Sequence, residues 1–129
     1  MSRGELFSVV HQSGACIARN VRKADTFLSR LVGLAWSGKR RALWLEPCGS
    51  IHTIGMFYPL DVVFLDERGV ILRTLLALGP FRAVMCRRAR ITLEFPAGTA
   101  PSKFLSTGEK LYLYPENQPP ETTNEMPLR

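Results

Sequence analysis

Residues 47–66 constrain the fold more than any other segment, because a loop rich in Pro, Gly and small polar residues leads there into a continuous apolar run. The run at residues 62–65 is apolar on both faces, which is typical of an interior strand covered on both sides. The tetrapeptide Asp66-Glu67-Arg68-Gly69 predicts a type I turn with glycine in the left-handed position, so residues 70–78 return as the partner strand. The segment therefore predicts an interior β-hairpin preceded by a shaped loop.

Other short apolar runs predict further strands. Residues 6–10 and 15–21 flank Gly14, whose permissive backbone suits a tight reversal, and they predict an opening hairpin. Residues 42–46 predict a strand that stops at Pro47, because proline cannot donate to a ladder.

Strict alternation predicts a strand at residues 89–95. One face of this strand carries Ile91, Leu93 and Phe95, and the other carries Arg90, Thr92 and Glu94. Residues 101–105 predict a single helical turn, and residues 111–114 predict a closing strand.

One early helix is predicted at residues 27–33, where apolar residues recur at helical spacing and Gly33 suits the left-handed position that ends many helices. About seven short strands joined mostly by hairpin-sized turns argue against alternating βαβ units. The sequence predicts an α+β fold, with a mainly antiparallel sheet curled into a small barrel or sandwich and the helix covering one opening.

Length and composition fit one soluble domain, because 129 residues with 46% hydrophobic content can bury a core without metals or disulfides. We expect a globular domain at residues 1–115 and a disordered tail at residues 116–129, where apolar residues almost vanish. No run approaches the roughly 20 apolar residues of a membrane helix. No secretion signal is evident, and the three cysteines form no Cys-x-x-Cys pair. Reduced thiols and a cytoplasmic location are therefore expected.

An ordered series of motifs is similar to a known set: Arg30-Leu31-Val32-Gly33-Leu34, Cys48-Gly49-Ser50-Ile51-His52-Thr53-Ile54-Gly55-Met56, Pro59-Leu60-Asp61-Val62-Val63-Phe64-Leu65-Asp66, Leu93-Glu94-Phe95-Pro96-Ala97-Gly98 and Gly108-Glu109. The series spans residues 24–113 and resembles the bacterial and archaeal family catalogued as domain of unknown function 192. The resemblance implies a small β-rich fold and implies no reaction, since the family has no established activity. Many relatives have Trp-Met-Lys-Asn-Thr where this chain has His52-Thr53-Ile54-Gly55-Met56, so it resembles a histidine-bearing branch.

The leading functional hypothesis is a small binding or accessory domain with a cleft where loops meet strand ends, because loops on a rigid scaffold usually carry function. Arg82 would suit an anionic or carbonyl-bearing ligand, and Met56 and Phe81 would provide an apolar wall. The predicted ligand-binding residues are His52, Met56, Asp61, Phe81, Arg82, Glu94 and Arg30.

A hydrolase is the first alternative, with His52 as general base and Asp61 or Glu94 as its orienting carboxylate, or with Cys48 as nucleophile. The competing structural interpretations are a histidine bonded to backbone, a cysteine packed as a small apolar residue, and an Asp61 that accepts backbone N–H groups. No cofactor is predicted, and no metal site either, because Cys48 and His52 supply only two ligands.

Nucleic-acid binding is the second alternative, since Arg82, Arg87, Arg88 and Arg90 form a local basic cluster and the net charge is +6. A solvated basic face is favoured over it, because no helix-turn-helix, zinc-finger or aromatic RNA-binding motif is present. The sequence leaves the oligomeric state open.

Glu94 also carries a hypothesis about stability. It closes an alternating strand, and the breakers at residues 96–98 leave backbone donors without ladder partners. If Glu94 accepts from those donors, its replacement by Gln or Ala will destabilise the fold more than replacement of the turn residue Glu67.

Overall fold

The computed structural model describes residues 5–24, 42–52, 59–79 and 82–117. Within these residues the chain forms nine strands and one turn of 3-10 helix at Ser102–Phe104. The strands are β1 (Leu6–His11), β2 (Cys16–Ala24), β3 (Leu43–Leu45), β4 (Ser50–His52), β5 (Leu60–Leu65), β6 (Ile71–Leu78), β7 (Ala83–Met85), β8 (Ile91–Pro96) and β9 (Leu111–Pro115).

Seven of the strands form one mixed sheet in the order β6-β5-β8-β3-β2-β1-β9. Its pairings are antiparallel except that of β2 with β3, which run parallel. The remaining two strands, β4 and β7, pair antiparallel as a separate two-stranded ribbon. The mainly antiparallel, β-rich prediction is therefore confirmed, whereas the parallel pair was not foreseen.

The predicted interior hairpin is β5 and β6. All six residues of β5 are buried, as expected for a strand covered on both faces. In the turn, Asp66 Oδ1 accepts hydrogen bonds from the N–H groups of Arg68 and Val70, which fixes the chain reversal. Gly69 has a φ of +85°, and a Cβ there would meet the carbonyl oxygen of Leu111 at 2.5 Å. Glycine is thus required both for the conformation and for the close approach of the neighbouring segment.

The sheet does not close into a barrel, so the barrel is not supported as one of the two predicted forms, barrel or sandwich. At these edges the described backbone contacts are an isolated bridge between Val70 and Lys110 and three hydrogen bonds, from Leu111 N to Gly69 O, from Ile71 N to Glu109 O and from Gly108 N to Ile71 O. A barrel would need a continuous ladder between those edges, and the sheet order contains no pairing of β6 with β9.

An α+β class is not supported, because the described part of the chain contains strands and a 3-10 turn but no α-helix. The helix predicted at residues 27–33 lies outside the described residues. The single helical turn predicted at residues 101–105 is present at Ser102–Phe104. Glu116, the first residue of the predicted tail, donates its N–H to Leu6 O, and its carboxylate accepts from Asn20 N.

Two faces of the large sheet bury different apolar groups. The core face carries the main cluster, which includes Trp44, Val63, Leu93 and Phe95. The opposite face, which we call the ribbon face, carries Leu60, Val62 and Phe64 of β5, with Val84 of the ribbon packed against them. It also carries Leu43 and Leu45 of β3, which cluster with Cys48.

Backbone hydrogen bonds extend the ribbon and join its base to the segment before β8. Cys86 N donates to Gly49 O between the two segments of the ribbon, and Cys48 N donates to Arg90 O next to β8. Gly49 has no room for a side chain, because a Cβ would lie 2.7 Å from Ala89 O. The ribbon is thereby held over the β5 side of the ribbon face.

Candidate functional site

Strand register separates the two carboxylates that the sequence placed in one cleft. Asp61 of β5 lies opposite Phe95 of β8, which belongs to the core face. Glu94 lies opposite Val62 of β5, which belongs to the ribbon face. Because directly paired residues project to the same side of a sheet, the carboxylates of Asp61 and Glu94 occupy opposite faces. The predicted cleft cannot contain both.

Asp61 acts as a structural acceptor. Its Oδ1 accepts from Ala77 N at 2.8 Å, and its Oδ2 accepts from Gly98 N at 2.8 Å and Ala100 N at 3.1 Å. The residue is only 2% exposed. Asp61 therefore fixes the bulged end of β6, where Ala77 has a φ of +57°, and the turn that follows β8. The backbone donors after residue 95 that were assigned to Glu94 are held by Asp61 instead.

Glu94 has a different environment. It is 6% exposed, and no described residue gives its carboxyl group a hydrogen bond or an ion pair. Its cross-strand neighbours are Leu43 and Val62, which are apolar. Desolvation by this burial raises the pKa of Glu94 from 4.5 to about 7. The group can therefore exchange a proton near neutral pH.

A second charged residue on this face was missed by the sequence analysis. Arg22 of β2 lies beside Leu43, which in turn lies opposite Glu94. Since strands are about 4.8 Å apart, the Cα atoms of Arg22 and Glu94 are separated by about 10 Å. The Nε of Arg22 is buried and has no hydrogen-bond partner within the described residues. The sequence did contain a signal for the position of Arg22. Neighbouring residues of a strand project to opposite faces, and the apolar Val21 is fully buried on the core face.

Thr92 and Cys48 complete the described surroundings on the ribbon face. Thr92, two residues before Glu94 on β8, donates its hydroxyl hydrogen bond to Cys48 O at 3.0 Å. Cys48 is buried and clusters with Leu43 and Leu45, which fits the interpretation of this cysteine as an apolar packing residue. The hydroxyl hydrogen of Thr92 is therefore used by Cys48 O and is not donated to the Glu94 carboxyl group.

The remaining predicted site residues are only partly within the description. His52 pairs with Ala83 through the backbone of the ribbon, and its side chain is not described. Arg82 precedes β7 and is exposed. Met56, Phe81 and Arg30 lie outside the described residues, so their part in a ligand site stays a prediction.

The basic cluster lies at the surface. Arg87, Arg88 and Arg90 are exposed in and after the turn that joins β7 to β8, and Arg82 is exposed at the other end of β7. Exposure permits contact with an anionic partner but equally fits simple solvation.

A Ser-His-Glu arrangement occurs at the β1–β2 turn, where His11 was not considered as a functional residue. His11 Nδ1 is 2.8 Å from Ser13 Oγ, and His11 Nε2 is 2.8 Å from Glu109 Oε1. The histidine is buried and its ring lies 5.1 Å from that of Phe104. Nucleophile, base and carboxylate thus stand in the order that acyl transfer requires.

The backbone around Ser13 nevertheless gives this arrangement a structural role. The N–H groups of residues 12–15 donate in turn to Lys110 O, His11 Nδ1, His11 O and Ser13 Oγ. None of these donors is left to stabilise an oxyanion, which acyl transfer needs. We therefore interpret His11 as a structural residue, whose hydrogen bonds to Ser13 and Glu109 connect the β1–β2 turn to the segment before β9.

Comparisons with known proteins agree with the architecture. The DUF192 family model, described as uncharacterized ACR, matches residues 8–113. The UPF0127 protein PH1112 of Pyrococcus horikoshii is 34% identical over 98 residues, which cover 70% of this chain and 84% of that protein.

Two crystal structures share the fold. A protein of unknown function from Novosphingobium aromaticivorans has a TM-score of 0.61 at 18% identity, with 83% of each chain covered. A protein from Sinorhizobium meliloti described as a putative transcription regulator has a TM-score of 0.66 at 20% identity, with 85% of this chain and 93% of that chain covered. Among the described residues, no helix is long and apolar enough to cross a membrane.

Proposed function

This chain belongs to the uncharacterised DUF192 family, and we propose that it is a small-molecule binding domain whose ligand contacts Glu94 on the ribbon face. The observation that carries the proposal is that Glu94 is 6% exposed and receives no hydrogen bond from any described residue. Buried polar groups are nearly always paired, because an unpaired one costs about 1 to 3 kcal/mol. A ligand that pairs with Glu94 would recover that energy.

The surroundings of Glu94 suit a ligand better than they suit a structural ion pair. Leu43 and Val62 flank it, so a bound molecule would find apolar walls beside one polar anchor. Its raised pKa of about 7 is the kind of perturbation that clusters at functional sites. Of the two acids in the predicted cleft, the proposed site contains Glu94 but not Asp61, because Asp61 accepts hydrogen bonds from three backbone N–H groups.

The test is a thermal-shift screen of the purified protein with a chemically mixed set of small acids, amides, amines, sugars and heterocycles. A compound at about 100 times its Kd stabilises the folded state by about 2.7 kcal/mol, which is a shift of several degrees. We expect at least one compound to raise the Tm of the wild-type protein and to lose this effect in Glu94→Leu. Glu94→Gln is the second variant, should the leucine protein fold poorly.

The matched control is Glu67→Leu, which removes an exposed carboxylate from the β5–β6 turn. This variant should keep the full ligand response. The proposal fails if no compound in the set stabilises the wild-type protein, or if the response survives in both Glu94 variants.

The hydrolase alternative gains little support. Asp61 is engaged by backbone, and Glu94 lies on the other face of the sheet. His52 would therefore have to work with Glu94 or Cys48 alone. Hydrolysis of model esters by the wild-type protein, with loss in His52→Ala and retention in Asp61→Asn, would favour this enzyme over a binding domain.

Nucleic-acid binding remains the other candidate, and the exposure of Arg87, Arg88 and Arg90 is the observation that favours it. The structural neighbour described as a putative transcription regulator has the same fold, which by itself assigns no activity. Binding of a labelled DNA duplex should then weaken steeply with added salt and in an Arg87→Ala, Arg88→Ala double variant. Salt-independent binding would eliminate this phosphate-driven form.

A further inference from the structure

We propose that the ribbon face binds a small organic carboxylate, whose oxygens bridge the Nε–H of Arg22 and the carboxyl group of Glu94. This inference rests on the proposed function and adds the chemical class of the ligand. It is carried by two separate observations on one face of the sheet. Glu94 is 6% exposed and receives no hydrogen bond from a described residue, and the buried Nε of Arg22 has no hydrogen-bond partner within the described residues.

The register brings these groups into reach of one ligand. Leu43 of β3 lies between them, opposite Glu94 on one side and beside Arg22 on the other. Two strand spacings put their Cα atoms about 10 Å apart. An arginine side chain and a glutamate side chain at this separation can both reach one small group between them, and the structure records no ion pair between Arg22 and Glu94.

The donor and acceptor properties of the two side chains select the ligand. Arg22 Nε–H can only donate, so the ligand must offer an acceptor there. Glu94 donates when protonated and accepts when ionised. An amine could pair with ionised Glu94 but would leave Arg22 unsatisfied and would face its positive charge. A carboxylate accepts from both groups at once, provided that Glu94 holds its proton.

Binding of a carboxylate should therefore be coupled to proton uptake by Glu94. The described residues next to Glu94 on the ribbon face are uncharged: they are Leu43 of β3, Val62 of β5 and Thr92 on β8 itself. The charges beyond them on this face are cationic: Arg22, the exposed Arg73 opposite Phe64, and the exposed Arg90 before β8. The desolvation that favours the neutral acid acts in the same direction as this proton uptake. The net charge of +6 also attracts an anion rather than a cation.

The experiment measures binding of acetate, propionate and benzoate by thermal shift and calorimetry, with ethylamine, propylamine and benzylamine as size-matched cations. We expect at least one carboxylate to bind, and to bind more weakly above pH 7 than below pH 6. The corresponding amine should not bind. Arg22→Met should lower the affinity for the carboxylate by roughly tenfold or more, since a charged hydrogen bond is lost.

Lys23→Met is the matched control, because it removes the same charge from the adjacent residue of β2, which is exposed and pairs with the core-face residue Trp44. Its carboxylate affinity should equal that of the wild-type protein. In Glu94→Gln the amide N–H replaces the acid proton, so binding should persist but lose its dependence on pH. Glu94→Leu should abolish binding.

Several results would overturn the inference. They are the absence of binding by all three carboxylates, an equal loss of affinity in Lys23→Met and Arg22→Met, or tighter carboxylate binding above pH 7. A different result is a screen that finds only amines or uncharged ligands, with their effect lost in Glu94→Leu. This result would refute a carboxylate as the ligand class but would still support the proposed binding function.

Discussion

Asp61 and Glu94 are two almost completely buried carboxylates on neighbouring strands, and their surroundings differ in every other respect. Asp61 receives three backbone N–H groups on the core face. Glu94 lies between leucine and valine on the ribbon face and receives no hydrogen bond from the described residues. The comparison shows that burial alone does not identify the role of an acid. The partners decide whether it stabilises the fold or is held at an energetic cost.

The largest expected effect on stability is that of replacing Asp61, the acid that accepts three backbone hydrogen bonds. Asp61→Ala should lower the free energy of unfolding by about 4 kcal/mol, because three backbone donors lose their acceptor in a buried place. Chemical denaturation at pH 7.5 measures this difference. The control is Asp66→Ala, which removes a partly exposed carboxylate with two N–H partners and should cost about 1 kcal/mol. Equal losses in the two variants would show that burial of Asp61 adds nothing.

The second prediction concerns Glu94, to which no described residue gives a hydrogen bond, and here the substitution should raise stability instead of lowering it. The pKa of Glu94 in the folded protein, about 7, lies above its ordinary value of 4.5. The folded state therefore holds a proton that the unfolded state releases, and stability falls as pH rises between these values. At about 1.4 kcal/mol per pH unit, the full loss is about 3 kcal/mol above pH 7, and Glu94→Gln should recover most of it.

Denaturation midpoints of the wild-type protein and Glu94→Gln between pH 4 and 8.5 provide the measurement. The two proteins should be similar near pH 4.5 and diverge up to pH 7, with the glutamine variant more stable. Glu67→Gln, in the exposed turn, should follow the wild-type curve. This expectation for glutamine reverses the sequence-based hypothesis that Glu94 supports backbone donors. A glutamine variant that is less stable than the wild-type protein at pH 8 would restore that hypothesis.

Much of the strand pattern could be predicted from sequence, because local signals determine it. Residues 62–65 are apolar throughout and form an interior strand, and the turn chemistry of Asp66 and Gly69 fixes the β5–β6 hairpin. The alternation of Ile91, Leu93 and Phe95 marks the core face of β8 correctly.

The site could not be predicted as well, because it depends on long-range register. No local signal states that Phe95 rather than Glu94 lies opposite Asp61, and a shift of one residue would exchange the faces. The parallel pairing of β2 with β3, which brings Arg22 next to Leu43, joins segments far apart in sequence. For the same reason the backbone donors of residues 98 and 100 were assigned to the acid nearest in sequence instead of to Asp61.

Glu109 extends the comparison to an acid that is neither fully buried nor unpaired, and it gives the smallest expected effect. Its side chain is 35% exposed, and its partner is the buried His11, at 2.8 Å. Glu109→Gln keeps an oxygen that can accept from His11 Nε2–H and loses only the charge, so we expect the free energy of unfolding to fall by about 0.5 to 1 kcal/mol.

His11→Ala should cost more, about 2 kcal/mol, because the ring contact with Phe104 and the hydrogen bond of Ser13 N disappear as well. Denaturation midpoints at one pH, with Glu67→Gln as the exposed control, rank the three variants. If Glu109→Gln proved as costly as Asp61→Ala, the number of hydrogen-bond partners would no longer explain the difference between the acids of this protein.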